Sequence, residues 1–188
     1  ADEVALLSEV MKVVMDVVDV PLCIDTANPE ALEAALKLYP GKALINSANG
    51  EEKSLSSILP LAKEYNAVVI GLCMDDDGIP PTPEGRLEVA KKIIQRATDL
   101  GIPVEDIVID PLAMTMGADH LAGSVVLETT KLLVKELGVN ITMGSSNVSF
   151  GIPDRKYLNS AFMAMAIQAG MTCPITNPLT TEVRTAVL

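Results

Sequence analysis

Short apolar runs alternate along this chain with longer segments whose apolar residues recur every three or four positions. Residues 3–18 place Val4, Leu7, Met11, Val14 and Val18 on one helical face. Six short runs then read as strands: 20–24, 42–45, 67–74, 107–109, 139–143 and 171–176. Between them lie helix signals. Asn28 caps a helix that opens on Pro29 and reaches Leu38. Glu51 to Tyr65 predicts a helix kinked at Pro60. Thr82-Pro83-Glu84 opens a third, which Gly101 closes. Asp119 to Leu137, closed by Gly138, and 156–169, closed by Gly170, predict two more. A short helix over Leu179–Leu188 ends the chain.

Strict strand–helix alternation demands a parallel sheet with right-handed crossovers. A doubly wound sheet and a barrel both satisfy it. Five of the six strands end on, or lead into, a carboxylate or amide: Asp25, Asn46, Asp110, Asn147 and Asn177. In a barrel such ends converge on one mouth, where active sites sit. In an open sheet they spread along an edge, and only a crevice at the switch point is used. Helix capping is the alternative for each residue. Six strands do not close an eight-stranded barrel, and the chain opens with a helix. The expectation is one domain, 1–188, forming part of a (β/α)8 TIM barrel that is cut short at both ends. The first strand–helix unit and the second strand are absent from it.

Composition narrows the function. The chain has 188 residues, 49% of them hydrophobic and only 3% aromatic, with nine Met. That is enough for one sizeable core. The 25 acids outnumber the 14 bases, for a net charge of -11. Such a surface lacks the cationic footprint for nucleic acid or an anionic membrane. No apolar run approaches the roughly 20 residues of a membrane span. The opening ADEVALLSEV carries no signal-peptide pattern. Cys23, Cys73 and Cys173 are widely spaced within apolar runs. They predict buried, reduced thiols in a cytoplasmic protein, with no zinc site. His120 is expected at the surface or as a cap. Asp75-Asp76-Asp77-Gly78 lacks the ligand spacing of a calcium loop and predicts a solvated turn.

The stretch GSSNVSFGIPDR, residues 144–155, is the polar anomaly. It completes a set of segments: CIDTANPEALEAAL, ALINSANGE, GIPPTPEGRLEVA, IVIDPL, SNVSFGIPDRKYLNSAFMAMAIQAGM and ITNP. In this order they resemble the pterin-binding methyltransferases, over about residues 20–178. These comprise the methyltetrahydrofolate:corrinoid methyltransferases and the folate domain of cobalamin-dependent methionine synthase. The resemblance implies a dihydropteroate synthase-like barrel. It implies methyltetrahydrofolate as substrate, tetrahydrofolate as product, and a corrinoid (cobalamin) carried by a partner protein or domain. It also implies a homodimer and no protein-bound metal. Dihydropteroate synthase itself is expected to carry a Lys on the seventh barrel strand and Arg-x-His at the end of the eighth. Those places read MGSSN and ITNP here. A pterin-binding fragment without turnover is the non-enzymatic alternative.

Chemistry matches residues to that ligand. A pterin edge presents a 2-amino group and a ring N–H side by side, and a carboxylate accepts both. Asp110, its loop stiffened by Pro111, suits this clamp. Asp25 offers a second acceptor. Asn46 offers both donor and acceptor to the mixed edge. Asn147 is placed near N5, where an amide oxygen accepts from a protonated nitrogen as the methyl leaves. Gly144 and Ser146 leave room for a flat ring. Arg155 is expected to pair with the folate glutamate tail or with nearby Asp154.

Overall fold

Asn28 accepts hydrogen bonds from the backbone N–H groups of Glu30 and Ala31, with Pro29 in the first turn, so this helix starts where its cap dictates. The computed structural model describes residues 2–188. Its helices are α1 (Glu3–Val17), α2 (Pro29–Leu38), α3 (Glu52–Glu64), α4 (Pro83–Asp99), α5 (Ala122–Leu137), α6 (Arg155–Ala169) and α7 (Thr181–Val187). Its strands are β1 (Cys23–Asp25), β2 (Leu44–Asn49), β3 (Val68–Leu72), β4 (Ile107–Asp110) and β5 (Asn140–Ile141).

All five strands are parallel, and their spatial order is their chain order, β1-β2-β3-β4-β5. A doubly wound sheet reverses order at a switch point. No reversal occurs here. Successive right-handed crossovers therefore place every helix on the same side, and each helix packs on the next from α1 to α7. The described residues form an arc of a barrel.

Register sorts the side chains onto two faces. Ile24, Ile45, Val69 and Ile107 are cross-strand neighbours, and all are buried in the main core beneath the helices. Each such side chain contributes roughly 1.5–3 kcal/mol. Gly71 lets α4 close on the sheet, since a Cβ there would stand 2.9 Å from Ile93 Cγ2. The pleat turns the next register layer the other way. Asp25, Asn46, Ile70, Val108 and Asn140 thus share the concave face. Ile70 and Val108 are buried there, outside the main core cluster.

Three expectations need correction. The segment 171–176 is not a regular strand. It makes one parallel bridge, Gly144 with Ile175, and the N–H groups of Thr172 and Cys173 both fall on the carbonyl of Ile141. Pro174 has no N–H to continue the ladder. Cys23 and Cys173 are exposed residues, and only Cys73 is a buried one. Cys23 lies on edge strand β1 and Cys173 in the irregular segment, so neither is fully covered. The fifth helix begins at Ala122 and not near Asp119, because the Thr115–Leu121 stretch is turned back on itself by bonds such as Asp119 N to Thr115 O.

His120 is exposed. Asp75 accepts from the N–H of Asp77 within a tight turn closed by Gly78. No helix among the described residues is long and apolar enough to cross a membrane. No cluster of His, Cys, Asp or Glu that could hold a metal ion occurs among the described residues.

Candidate functional site

None of the strand-end Asp and Asn residues caps a helix. The N-caps are Asp2, Asn28, Glu51, Thr82, Leu121, Asp154 and Thr180. Capping therefore does not account for the pattern. Asn177 is explained otherwise, since its Oδ1 accepts from Leu179 N at 2.9 Å within a turn. Asp25, Asn46 and Asn147 differ from it: among the described residues, no side-chain hydrogen bond uses any of the three. Polar side chains left without internal partners are available to a ligand.

Asp25, at the carboxyl end of β1, and Asn46, within β2, are register partners. Beyond Asn46 the register of β2 against β3 shifts by one residue at Ser47, and the Asn46–Ser47 peptide is cis. Asp110 ends β4, opposite Leu72 and one layer beyond Val108 on the same concave face. Asp25 is exposed, Asn46 half-buried and Asp110 buried. Burial pushes the Asp110 carboxyl up to about 6, while the N–H of Leu112 and the positive charge of Arg86 pull it back down. That N–H donates to Asp110 Oδ1 at 2.7 Å. A turn, not a helix, holds this carboxylate.

Residues Ser145–Ser149 form a 3-10 turn after β5. Val148 and Ser149 face inward and Asn147 outward. The Asn147 amide lies over Gly144, where an added Cβ would stand 2.9 Å from Nδ2. Ser146 is half-buried, and its carbonyl accepts from Arg155 and Ser149. The loop is tied to the one after β4: Met116 N donates to Val148 O at 2.9 Å, and Thr115 Oγ1 to Phe150 O at 2.6 Å.

Arg155 does not pair with Asp154. Its Nε donates to Ser149 Oγ at 2.9 Å and its Nη2 to Ser146 O at 2.7 Å, with the guanidinium 5.8 Å from the Phe150 ring centroid. The 3-10 turn delivers two acceptors spaced for the guanidinium fork.

Two further residues shape this edge. Glu3 accepts from Thr26 Oγ1 at 2.5 Å and from Asn28 Nδ2 at 3.3 Å, so α1 fixes the turn after Asp25. Arg86 is buried beside the Asp110 turn. Its signal is present in the sequence: it occupies the same helical face as Ala90, Ile93 and Ala97, where a charge is out of place.

Residues 1–177 match the model of a protein family described as pterin binding enzyme. The chain belongs to that family. It is 30% identical over 190 residues to the methylcorrinoid:tetrahydrofolate methyltransferase of Eubacterium limosum, spanning 98% of this chain and 69% of the relative. It is 30% identical over 168 residues to the methionine synthase of Mycobacterium tuberculosis, spanning 82% of this chain but 14% of the relative. These place it among the pterin-binding methyltransferases. The fold is also that of a dihydropteroate synthase from Clostridium difficile, solved in the presence of pteroic acid. That match has a TM-score of 0.75 at 23% identity and covers 99% of this chain and 73% of the other. A second, from Coxiella burnetii, gives a TM-score of 0.73 at 20% identity, covering 96% and 71%.

Proposed function

We propose that this pterin-binding chain moves a methyl group between N5 of tetrahydrofolate and a corrinoid presented by a partner protein or domain. The observation that carries the reading is three polar side chains without hydrogen-bond partners among the described residues, Asp25 on β1, Asn46 on β2 and Asn147 after β5, together with the buried carboxylate of Asp110 at the end of β4. The names of the two curated relatives support methyl chemistry.

In this reading Asp110 accepts the 2-amino and ring N–H donors of the pterin as a bidentate pair. Asn46 meets the mixed edge of the ring, and Asp25 takes a further donor. Together they orient the ring so that N5 lies toward Asn147. The methyl leaves without its bonding electrons, which stay on nitrogen, so positive charge at N5 favours departure. Asn147 Oδ1 accepts a hydrogen bond from protonated N5, and that bond strengthens in the transition state. The amide needs no strong basicity, because solvent supplies the proton. Cobalt in the corrinoid substrate supplies the nucleophile.

We assign methyltetrahydrofolate as donor and a Co(I) corrinoid as acceptor. The name of the E. limosum relative puts the methylcorrinoid first, so both directions belong in the assay. The full-length protein is mixed with methyltetrahydrofolate and Co(I) cobalamin, then with methylcobalamin and tetrahydrofolate, and the cobalt spectrum is followed. Methyl transfer above the protein-free rate in either mixture supports the reading. Protein-free rates in both would end it.

A further inference from the structure

Arg86 is the only Lys or Arg in the buried class among the described residues, with 4% of its surface exposed. Among the described residues no acid lies within salt-bridge distance of it. A buried cation without a contacting counter-ion is costly, so its hydrogen bonds must be good ones. All of them go to backbone carbonyls. Nε donates to Pro80 O at 3.0 Å, and Nη1 donates to Pro111 O at 2.8 Å and Leu112 O at 3.0 Å. Two of these carbonyls belong to the pair of residues directly after Asp110. Leu112 is held at φ 64, a conformation disfavoured for leucine. The same Leu112 turns its N–H back onto Asp110 Oδ1 at 2.7 Å.

We infer that Arg86 is the positioning residue for Asp110: from α4 it pins the Asp110-Pro111-Leu112 turn and so fixes the orientation in which the carboxylate meets the concave face. The Pro80 contact ties the loop after β3 into the same clamp. Arg86 touches no reacting atom in this scheme and acts through Leu112. Its charge also favours the ionised carboxyl. The other titratable group beside Asp110 is Cys73, whose thiol burial drives well above its ordinary value and keeps neutral. The role in ligand binding rests on the pterin reading. The clamp itself does not.

The test compares wild type with Arg86→Met and Arg86→Lys, with folding checked by thermal unfolding. The first measurement uses ligand-free protein. The Asp110 carboxyl is followed by carbon NMR through a pH titration, assigned by its loss in Asp110→Asn, and the Leu112 amide signal is followed alongside. Arg86→Met should raise the Asp110 midpoint and shift the Leu112 amide. Arg86→Lys should restore the midpoint, because the charge returns, but not the amide signal, because the fork does not. The second measurement is tetrahydrofolate binding by calorimetry. Arg86→Met should weaken it roughly tenfold, the equivalent of one charge-assisted hydrogen bond, with a smaller change in transfer rate at saturation. An Asp110 midpoint and Leu112 amide unchanged by Arg86→Met would overturn the inference. If that variant does not fold, an unchanged Leu112 amide in Arg86→Lys does the same. Wild-type protein that fails to bind tetrahydrofolate would sink the pterin reading, and the ligand-free titration would still decide the role of Arg86.

Discussion

The side-chain amide of Asn147 lies over Gly144, so close that a Cβ on Gly144 would stand 2.9 Å from Nδ2. The Gly144 backbone, at φ -69 and ψ 82, is open to alanine. An added methyl therefore acts through Asn147, whose exposed amide swings aside at small cost in stability. Misplacing a reacting group by about 1 Å can cost up to a hundredfold in rate. Gly144→Ala should lower single-turnover methyl transfer ten- to a hundredfold by that principle, with unfolding free energy changed by less than about 1 kcal/mol. A variant with the wild-type rate would show that the amide does not act from where it lies.

Asn147→Ala separates binding from chemistry. A bond that strengthens as the methyl leaves lowers the saturated rate more than it weakens affinity. The loss should be on the order of a hundredfold in rate, with the folate dissociation constant changed only slightly. Single-turnover transfer and calorimetry on the same preparation measure the two quantities. Equal rates at saturation would make the loop a binding surface only.

Arg155 brackets Asn147, holding Ser146 O on one side and Ser149 Oγ on the other. If it clamps the loop, Arg155→Ala should weaken methyl transfer from methyltetrahydrofolate and from methyltetrahydropterin, which has no glutamate tail, by the same factor. Losing these bonds predicts roughly tenfold for each substrate. A loss confined to the tailed substrate would instead make Arg155 the tail's counter-ion.

Much of this arrangement was legible in the sequence. Asn28-Pro29, Thr82-Pro83 and Gly138 mark helix ends by local chemistry, and those ends fell where expected. Strand ends at Asp25 and Asp110 were readable because apolar runs stop there. The apolar run stops at Asn46, but β2 continues to Asn49, since an irregular residue interrupts the alternation without ending the strand. The segment after Gly170 read as a strand because Met171, Ile175 and their neighbours are apolar. Its pairing fails at Pro174, which carries no donor. Arg155 and Arg86 were hardest to read, since their partners are backbone carbonyls and one hydroxyl. Composition carries no trace of a carbonyl's direction. Only Arg86 left a mark, as a cation on an apolar helical face.

Asp110 carries a pH signature that Asp110→Asn should expose. Burial raises its carboxyl from 3.8 to about 6 in the folded protein. Between those values the native state holds a proton that the unfolded chain has released. Stability therefore falls as pH rises through that window and stays lower above it. At neutral pH the buried charge costs up to about 3 kcal/mol. Asn keeps an oxygen for the Leu112 N–H and removes the charge. Asp110→Asn should thus be more stable than wild type at pH 7.5, by about 1–3 kcal/mol, and gain little at pH 4, where both side chains are mainly neutral. The same change should weaken tetrahydrofolate binding at least roughly tenfold, because a neutral amide loses the charge-assisted pairing with the pterin donors. Wild-type affinity should itself decline as pH drops through about 6. Urea unfolding at the two pH values, with calorimetry across the range, measures all three effects. A variant less stable than wild type at pH 7.5 would mean that the ionised carboxylate supports the fold. Its retention would then need no ligand to explain it.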